Sequence, residues 1–361
     1  MSKLYLHIGT HKTGTTEIQQ SLLYAKSNLI KEKIVYVPYF PSSFEMMRIK
    51  CHDRNMISRC VDYLQKQTKE YSGQYRFIMS FEGFSGDLEQ GYKNSRFVAQ
   101  ILKEATCEFD VSVIVYLRRQ DTFLESAYTQ LIHQGGSFSF SEFRNKYDFS
   151  SFNWLDLLNN YSEFFGKKNI ILKLYDKKYL PYNKSLVENF SDIIGSASLK
   201  EVELKKSFNI GYDRPALEIA RLCNPYLEQD EKKILRRILQ SSGTKSPISN
   251  YGYFTADERQ KFMERYKDSN AEVNSEYLNN TSDLLFPDNN NYYEVNYPGL
   301  TNEDIIKILI LVIKENNKIK KTEPDYLLRK ISKKIKKILS GKKRVLMTTN
   351  NHIRPEKKYS D

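Results

Sequence analysis

The chain has little of what a metal centre or a disulfide framework requires. Its 361 residues include four cysteines, Cys51, Cys60, Cys107 and Cys223, with no C-x-x-C pair among them. That spacing argues against a thiolate zinc site and against a stapled scaffold, and leaves reduced, buried thiols as the expectation. Tryptophan occurs once, at Trp154, and reads as core. The most apolar run, residues 305–313, is too short to span a bilayer, which takes ~20 apolar residues. No internal repeat is visible. No signal peptide precedes the first apolar run, which starts within a few residues of Met1, so a cytoplasmic location is expected.

The body also lacks net charge. The formal net charge is +12, yet residues 318–361 hold 15 Lys/Arg against 4 Asp/Glu, so that segment carries +11 and residues 1–317 only +1. A body that binds nucleic acid should carry its own basic face, and the basicity here belongs to the tail, not to the body. No nucleic-acid partner is expected. Aromatic content is high, with 26 Tyr and 20 Phe. Tyrosine suits sugar binding, but an AT-rich genome produces the same excess, so the count decides nothing.

What is present is concentrated near the N-terminus. The apolar run Leu4-Tyr5-Leu6-His7-Ile8 leads into Gly9-Thr10-His11-Lys12-Thr13-Gly14-Thr15-Thr16-Glu17, and Ile18, Leu22 and Leu23 come next at helical spacing. Strand, glycine-bounded loop and helix form the context in which backbone amides cradle a phosphate. The spacing is nearly that of the ATP-binding loop G-x-x-x-x-G-K-[ST], with one departure. Thr15 stands where the lysine belongs, and Lys12, before the second glycine, is the loop's only lysine.

Beyond the loop, strands and helices alternate. Strands are expected at 4–8, 33–38, 75–81, 109–117 and 169–174, and helices at 15–27, 53–70, 95–106, 121–134, 140–146 and 152–165. That order implies an α/β fold with a parallel sheet, helices on both faces, and ligands at the carboxyl ends of the strands. Lys12, Glu82 and Arg118 each come after a strand, so the topology gathers them at one edge. Residues 185–285 read as a mainly helical extension, with helices at 185–194, 215–223, 228–240 and 255–279. Residues 286–300 read as loop and 302–315 as a helix. The expected organisation is a domain over 1–300 (nucleotide-binding core 1–180, helical extension 185–285), a terminal helix within 301–317, and a basic tail over 318–361. In the tail, Leu327, Leu328, Ile331, Ile335, Ile338 and Leu339 alternate with lysines. It reads as a basic amphipathic helix that attaches to an anionic membrane surface, or as a solvated or disordered basic end.

Two motifs carry a resemblance. Lys12-Thr13-Gly14-Thr15-Thr16 resembles the K-[ST]-G-T-T loop of sulfotransferases that use 3′-phosphoadenosine 5′-phosphosulfate (PAPS). The strand 109–117 runs into Arg118, and Ser126 lies eight residues on, which resembles the element that binds the 3′-phosphate in that family. The resemblance covers roughly residues 1–180, and bacterial carbohydrate sulfotransferases, which often open like His7-Ile8-Gly9-Thr10-His11-Lys12, are the nearest in pattern. It implies PAPS as donor co-substrate, held by Lys12, Thr13, Gly14, Thr15, Thr16, Arg118 and Ser126, with no metal. It implies a carbohydrate acceptor, a bacterial surface polysaccharide or glycolipid precursor. Action at the inner face of the cell membrane would suit the tail. Of the adjacent arginines Arg118 and Arg119, the eight-residue spacing favours Arg118. The Gly- and Lys-rich late segment of the cytosolic small-molecule enzymes is not found.

Four residues are weighed for catalysis. Lys12 is suited to stabilising charge on the leaving phosphate. Glu82, in Ser80-Phe81-Glu82-Gly83, is the expected general base, with His11 and His7 as rivals; His7, inside a strand, reads better as a buried histidine. Asp121 reads as a helix cap. The alternative is a nucleotide kinase or hydrolase with a variant phosphate loop, in which Glu82 would hold Mg²⁺.

Overall fold

The computed structural model describes residues 1–38, 54–71, 74–88, 90–146, 152–175, 185–202, 212–241, 251–278, 284–286, 295–296, 299–319 and 332–333. The described chain forms two compact units. The first comprises residues 1–127, 141–209 and 254–294; the second comprises 128–140, 210–253 and 295–361.

The first unit is built on a parallel sheet of five strands, β1 (Ser2–Gly9), β2 (Ile34–Tyr36), β3 (Arg76–Ser80), β4 (Phe109–Leu117) and β5 (Ile170–Leu174), in the order β2-β3-β1-β4-β5. The fold class read from the sequence is therefore observed. β1 lies between β3 and β4, with Tyr5 opposite Ile78 on one side and Ser112 on the other. The strands alternate faces with a period of two. On one face Ile78, Ile114 and Tyr116 pack with Ile18 and Leu22 of α1 (Thr15–Tyr24), Leu29 of α2 (Lys26–Lys31) and Phe190. On the other lie Leu4, Leu6, Ile8, Met79, Val113 and Val115, all essentially sealed from solvent. Helices cover this face as well: α3 (Arg54–Thr68), α4 (Ser95–Ala105), with Val98 and Leu102 buried, and α7 (Trp154–Phe165), with Leu158 and Tyr161 buried. Burying each such side chain stabilises the fold by about 1.5–3 kcal/mol. Between α4 and α7 in chain order run α5 (Gln120–His133) and α6 (Phe140–Lys146).

After β5 come α8 (Leu186–Ile194) and α9 (Ala197–Lys200). Helix α8 starts with a capping box between Ser185 and Glu188 and ends at Gly195 in the left-handed region (φ 67°). In the second unit, α10 (Arg214–Cys223) and α11 (Gln229–Ser241) bury Leu217, Leu235, Ile238 and Leu239. The first unit resumes with α12 (Ala256–Glu264) and α13 (Lys267–Leu278), and the second ends with α14 (Asn302–Ile319).

Several expectations are corrected in detail. The helix expected over 15–27 stops at Tyr24, and α2 starts afresh at Lys26. The single helix expected over 255–279 is two, α12 and α13, broken at Arg265-Tyr266 with Tyr266 buried. Within 286–300, read as loop, Val295–Asn296 is a short strand that pairs in parallel with Tyr251–Gly252. Cys60 and Cys223 are buried free thiols, but Cys107 is exposed. Cys51 and the amphipathic pattern 327–339 (residues 332–333 aside) lie outside the described residues. No described helix is long and apolar enough to cross a membrane.

Candidate functional site

The site lies at the carboxyl ends of β3, β1 and β4, three neighbours in the sheet. β1 breaks register after His7, where Gly9 rather than Ile8 falls opposite Val115. Thr10 then anchors the loop to β4: its backbone N–H and its hydroxyl both donate to the Tyr116 carbonyl, at 3.0 and 3.2 Å. Thr13 closes the loop on itself, its hydroxyl donating to the Thr10 carbonyl at 2.5 Å. Three residues here take positive φ: Gly9 (88°), Lys12 (63°) and Gly14 (77°). A left-handed lysine is strained by ~1–2 kcal/mol, and such strain persists where the surroundings fix it.

Helix α1 starts at Thr15 with Gly14 as its N-cap, and no side chain caps its first amides. The Thr15 hydroxyl is buried without a hydrogen-bond partner among the described residues. Bare amides, an orphan hydroxyl and the positive end of the helix dipole suit a phosphate-like anion.

Arg118, just after β4, reaches this loop. Its Nη1 donates to the Lys12 carbonyl at 3.2 Å and its Nε to the Thr122 hydroxyl at 3.1 Å, while its guanidinium lies 5.8 Å from the Tyr175 ring centre. Trp154 Nε1 donates to the Arg118 carbonyl at 2.9 Å and fixes the backbone there. Trp154 is fully buried, as its reading as core requires. Arg119 turns elsewhere, with Nε 3.3 Å from Asp121 Oδ1. The structure thus distinguishes the two arginines, and Arg118 is the one at the loop.

Asp121, expected as a helix cap, is the second residue of α5. It accepts from the Thr122 N–H at 2.7 Å, but it is also completely buried and bound by Arg259 Nη1 at 2.6 Å, whose Nη2 holds Glu125 at 2.8 Å. This clamp fixes α5 from one side. Ser126 lies one helical turn beyond Thr122, on the same face, and is half-buried.

Glu82 opens a short 3-10 turn, Glu82–Ser85, after β3. Its Oε2 is buried with no hydrogen-bond partner among the described residues. Burial pushes its carboxyl pKa up, while a hydrogen bond from its own backbone N–H and, less, the charge of Lys12 pull part of the way back. A carboxylate poised this way, with an open acceptor oxygen, has the properties of a general base.

The histidines separate. His7 is fully buried, its Nδ1 2.7 Å from Ser80 Oγ and its ring against Tyr116 and Phe190. Burial lowers its pKa to about 3, so it stays neutral. His11 lies on the loop, where its N–H donates to the Tyr92 hydroxyl at 3.3 Å and its Nδ1 lies 3.0 Å from the same oxygen. Tyr92 is itself buried and left-handed, with φ 66°.

The structure therefore brings together Lys12, Glu82, His11, Thr13, Gly14, Thr15 and Arg118, and places Thr16 on the first turn of α1 and Ser126 on α5. Sequence reasoning missed Tyr92, Thr122, Tyr175 and Arg259. Thr122, four residues before Ser126, had a helical-face signal, and Tyr175 directly follows β5; Tyr92 and Arg259 act across long separations and had none. No group of three or more His, Cys, Asp and Glu side chains suited to a metal ion occurs among the described residues.

No family model matches the chain. An uncharacterized protein of Archaeoglobus fulgidus is 29% identical over 169 residues, 46% of this chain and 45% of that protein, so the match spans about half of the relative's length. Among solved structures, a sulfotransferase from Alicyclobacillus acidocaldarius is similar with a TM-score of 0.37 and 13% identity, over 61% of this chain and 92% of that one. A likeness at that level carries no functional argument; the geometry of the site has to carry it.

Proposed function

We propose that the chain is a sulfotransferase that moves the sulfuryl group of PAPS to a carbohydrate hydroxyl. The observation that supports it most is the hydrogen bond from Arg118 to the Lys12 carbonyl. It joins the two motif elements that the resemblance assigns to one nucleotide, the phosphosulfate loop and the 3′-phosphate arginine. In this reading the loop amides and the hydroxyls of Thr15 and Thr16 hold the 5′-phosphosulfate, with Thr13 shaping the loop through Thr10. Arg118 and Ser126 hold the 3′-phosphate, and Arg118 gives a planar, charged donor.

The acceptor oxygen attacks sulfur in line. The bond between sulfur and the bridging oxygen breaks, and its electron pair goes to the 5′-phosphate, leaving adenosine 3′,5′-bisphosphate. Lys12 stabilises the charge that collects there. Glu82 accepts the acceptor's proton; its raised pKa and unpartnered oxygen suit that task. His11, held by Tyr92, lines the same loop and contacts the acceptor side.

A transfer assay with radiolabelled PAPS over bacterial surface sugars tests the reading. Glu82→Gln should retain nucleotide binding and lose ~10²–10⁴-fold in turnover. Lys12→Ala should lose ~10²–10³-fold. Turnover of Mg²⁺-ATP without sulfate transfer would reassign the site to phosphoryl transfer. Absence of any nucleotide binding would leave a binding protein without this activity.

A further inference from the structure

Helix α14 carries an apolar face that the second unit does not use. Ile308 and Val312 are buried, and buried Leu235, Ile238 and Leu239 of α11 belong to the same unit. Ile306, Ile310 and Ile313 stand on the other side, at i, i+4 and i+7, and are 54%, 45% and 58% exposed. That spacing makes one stripe along the helix. Eight large hydrophobic side chains are strongly exposed among the described residues, and three of them form this stripe.

The charges around the stripe are ordered. Exposed Lys307 and Lys314 flank it, with Lys307 paired to Glu303 at 2.8 Å. The acidic residues Glu303 and Asp304 sit in the first turn. Past the stripe the chain turns basic, with 15 Lys/Arg against 4 Asp/Glu over residues 318–361, interleaved with Leu327, Leu328, Ile331, Ile335, Ile338 and Leu339. We infer that the exposed Ile306–Ile310–Ile313 face of α14 lies on an anionic lipid bilayer, drawn there by the net positive charge of the sequence that follows it. Such contact does not depend on which group the site transfers.

Three occupants compete, and charge and chemistry choose among them. A second copy would bring two segments of +11 together, which opposes association. A nucleic acid would satisfy the lysines but offers nothing to three isoleucines. An anionic bilayer satisfies both: headgroups attract the lysines and the acyl boundary accepts the stripe. The helix lies on such a surface and does not cross it.

Flotation of the full chain with phosphatidylcholine vesicles, with and without about 30 mole per cent phosphatidylglycerol, tests this. Binding is expected only with the anionic lipid, and should be largely lost at about 0.5 M salt. The exposed-site triple variant Ile306→Ser, Ile310→Ser, Ile313→Ser should melt as wild type does and bind roughly tenfold or more weakly. Ile310→Trp adds an exposed indole to a chain whose one tryptophan is buried, so its emission should shift to the blue when anionic vesicles are added. Equal binding by the triple variant, a static emission of the Trp variant, or indifference to lipid charge would each overturn the inference. So would a stripe whose loss abolishes dimers in light scattering while vesicle binding stays intact.

Discussion

Gly9 and Glu82 touch backbone to backbone across the ends of β1 and β3. A Cβ placed on Gly9 would stand 3.1 Å from the Glu82 Cα and 3.2 Å from its Cβ, tighter than ordinary contact. The absent side chain lets the start of the Glu82 side chain lie close against the loop that begins at Gly9. Gly9 also takes φ 88°, which side-chain-bearing residues avoid.

Gly9→Ala should therefore act twice. The strained backbone should cost ~1–2 kcal/mol of stability, read as a shift in the urea midpoint. Displacement of Glu82 by a few tenths of an ångström should lower turnover more than nucleotide affinity. A variant with wild-type turnover would show that the contact does not position Glu82.

Trp154→Phe keeps an aromatic ring in the core but deletes the indole donor to the Arg118 carbonyl. Loss of that bond removes one partner of a part-buried carbonyl, at about 0.5–1.5 kcal/mol. The specific readout is the preference for a 3′-phosphorylated nucleotide, which should fall as Arg118 loosens. Lost stability with an unchanged preference would mean that Trp154 only fills space.

His7 makes stability depend on pH. Its pKa is 6.5 when unfolded and about 3 when buried, so between these values the unfolded chain binds a proton that the native chain does not. Stability from this group is thus lost as pH falls from about 6.5 toward 3, by up to ~1.4 kcal/mol per pH unit. Glu82, raised by burial, works in the opposite sense. Comparison with His7→Gln isolates the histidine: the variant's stability should fall less steeply between about pH 6.5 and pH 4.5. Equal slopes would show that His7 is not held neutral.

The sheet was legible because each strand is short, apolar and succeeded by a helical pattern. Lys12, Glu82 and Arg118 were legible because parallel strands all deliver the residues at their carboxyl ends to one edge. The hidden contacts are the distant ones. Asp121 looks like a cap because its local bond to Thr122 is all that sequence can show; the Arg259 clamp comes from 138 residues away. Tyr92 meets His11 across 81 residues, and Trp154 meets Arg118 across 36. The break between α12 and α13 has neither proline nor glycine; buried Tyr266 and the pairing of Asn270 with Gln120 at 2.7 Å accompany it. The Tyr251–Gly252 and Val295–Asn296 pair is too short to carry a period.

The central claim is that Arg118 joins the phosphate loop to a reader of the 3′-phosphate. Calorimetric titration of wild type and Arg118→Ala with adenosine 3′,5′-bisphosphate and with adenosine 5′-phosphate tests it most directly. The account predicts that wild type prefers the bisphosphate and that the variant loses about 10–150-fold in affinity for it, the worth of a charged hydrogen bond, while binding of the monophosphate changes little. A ratio of affinities that is the same in both proteins would contradict it.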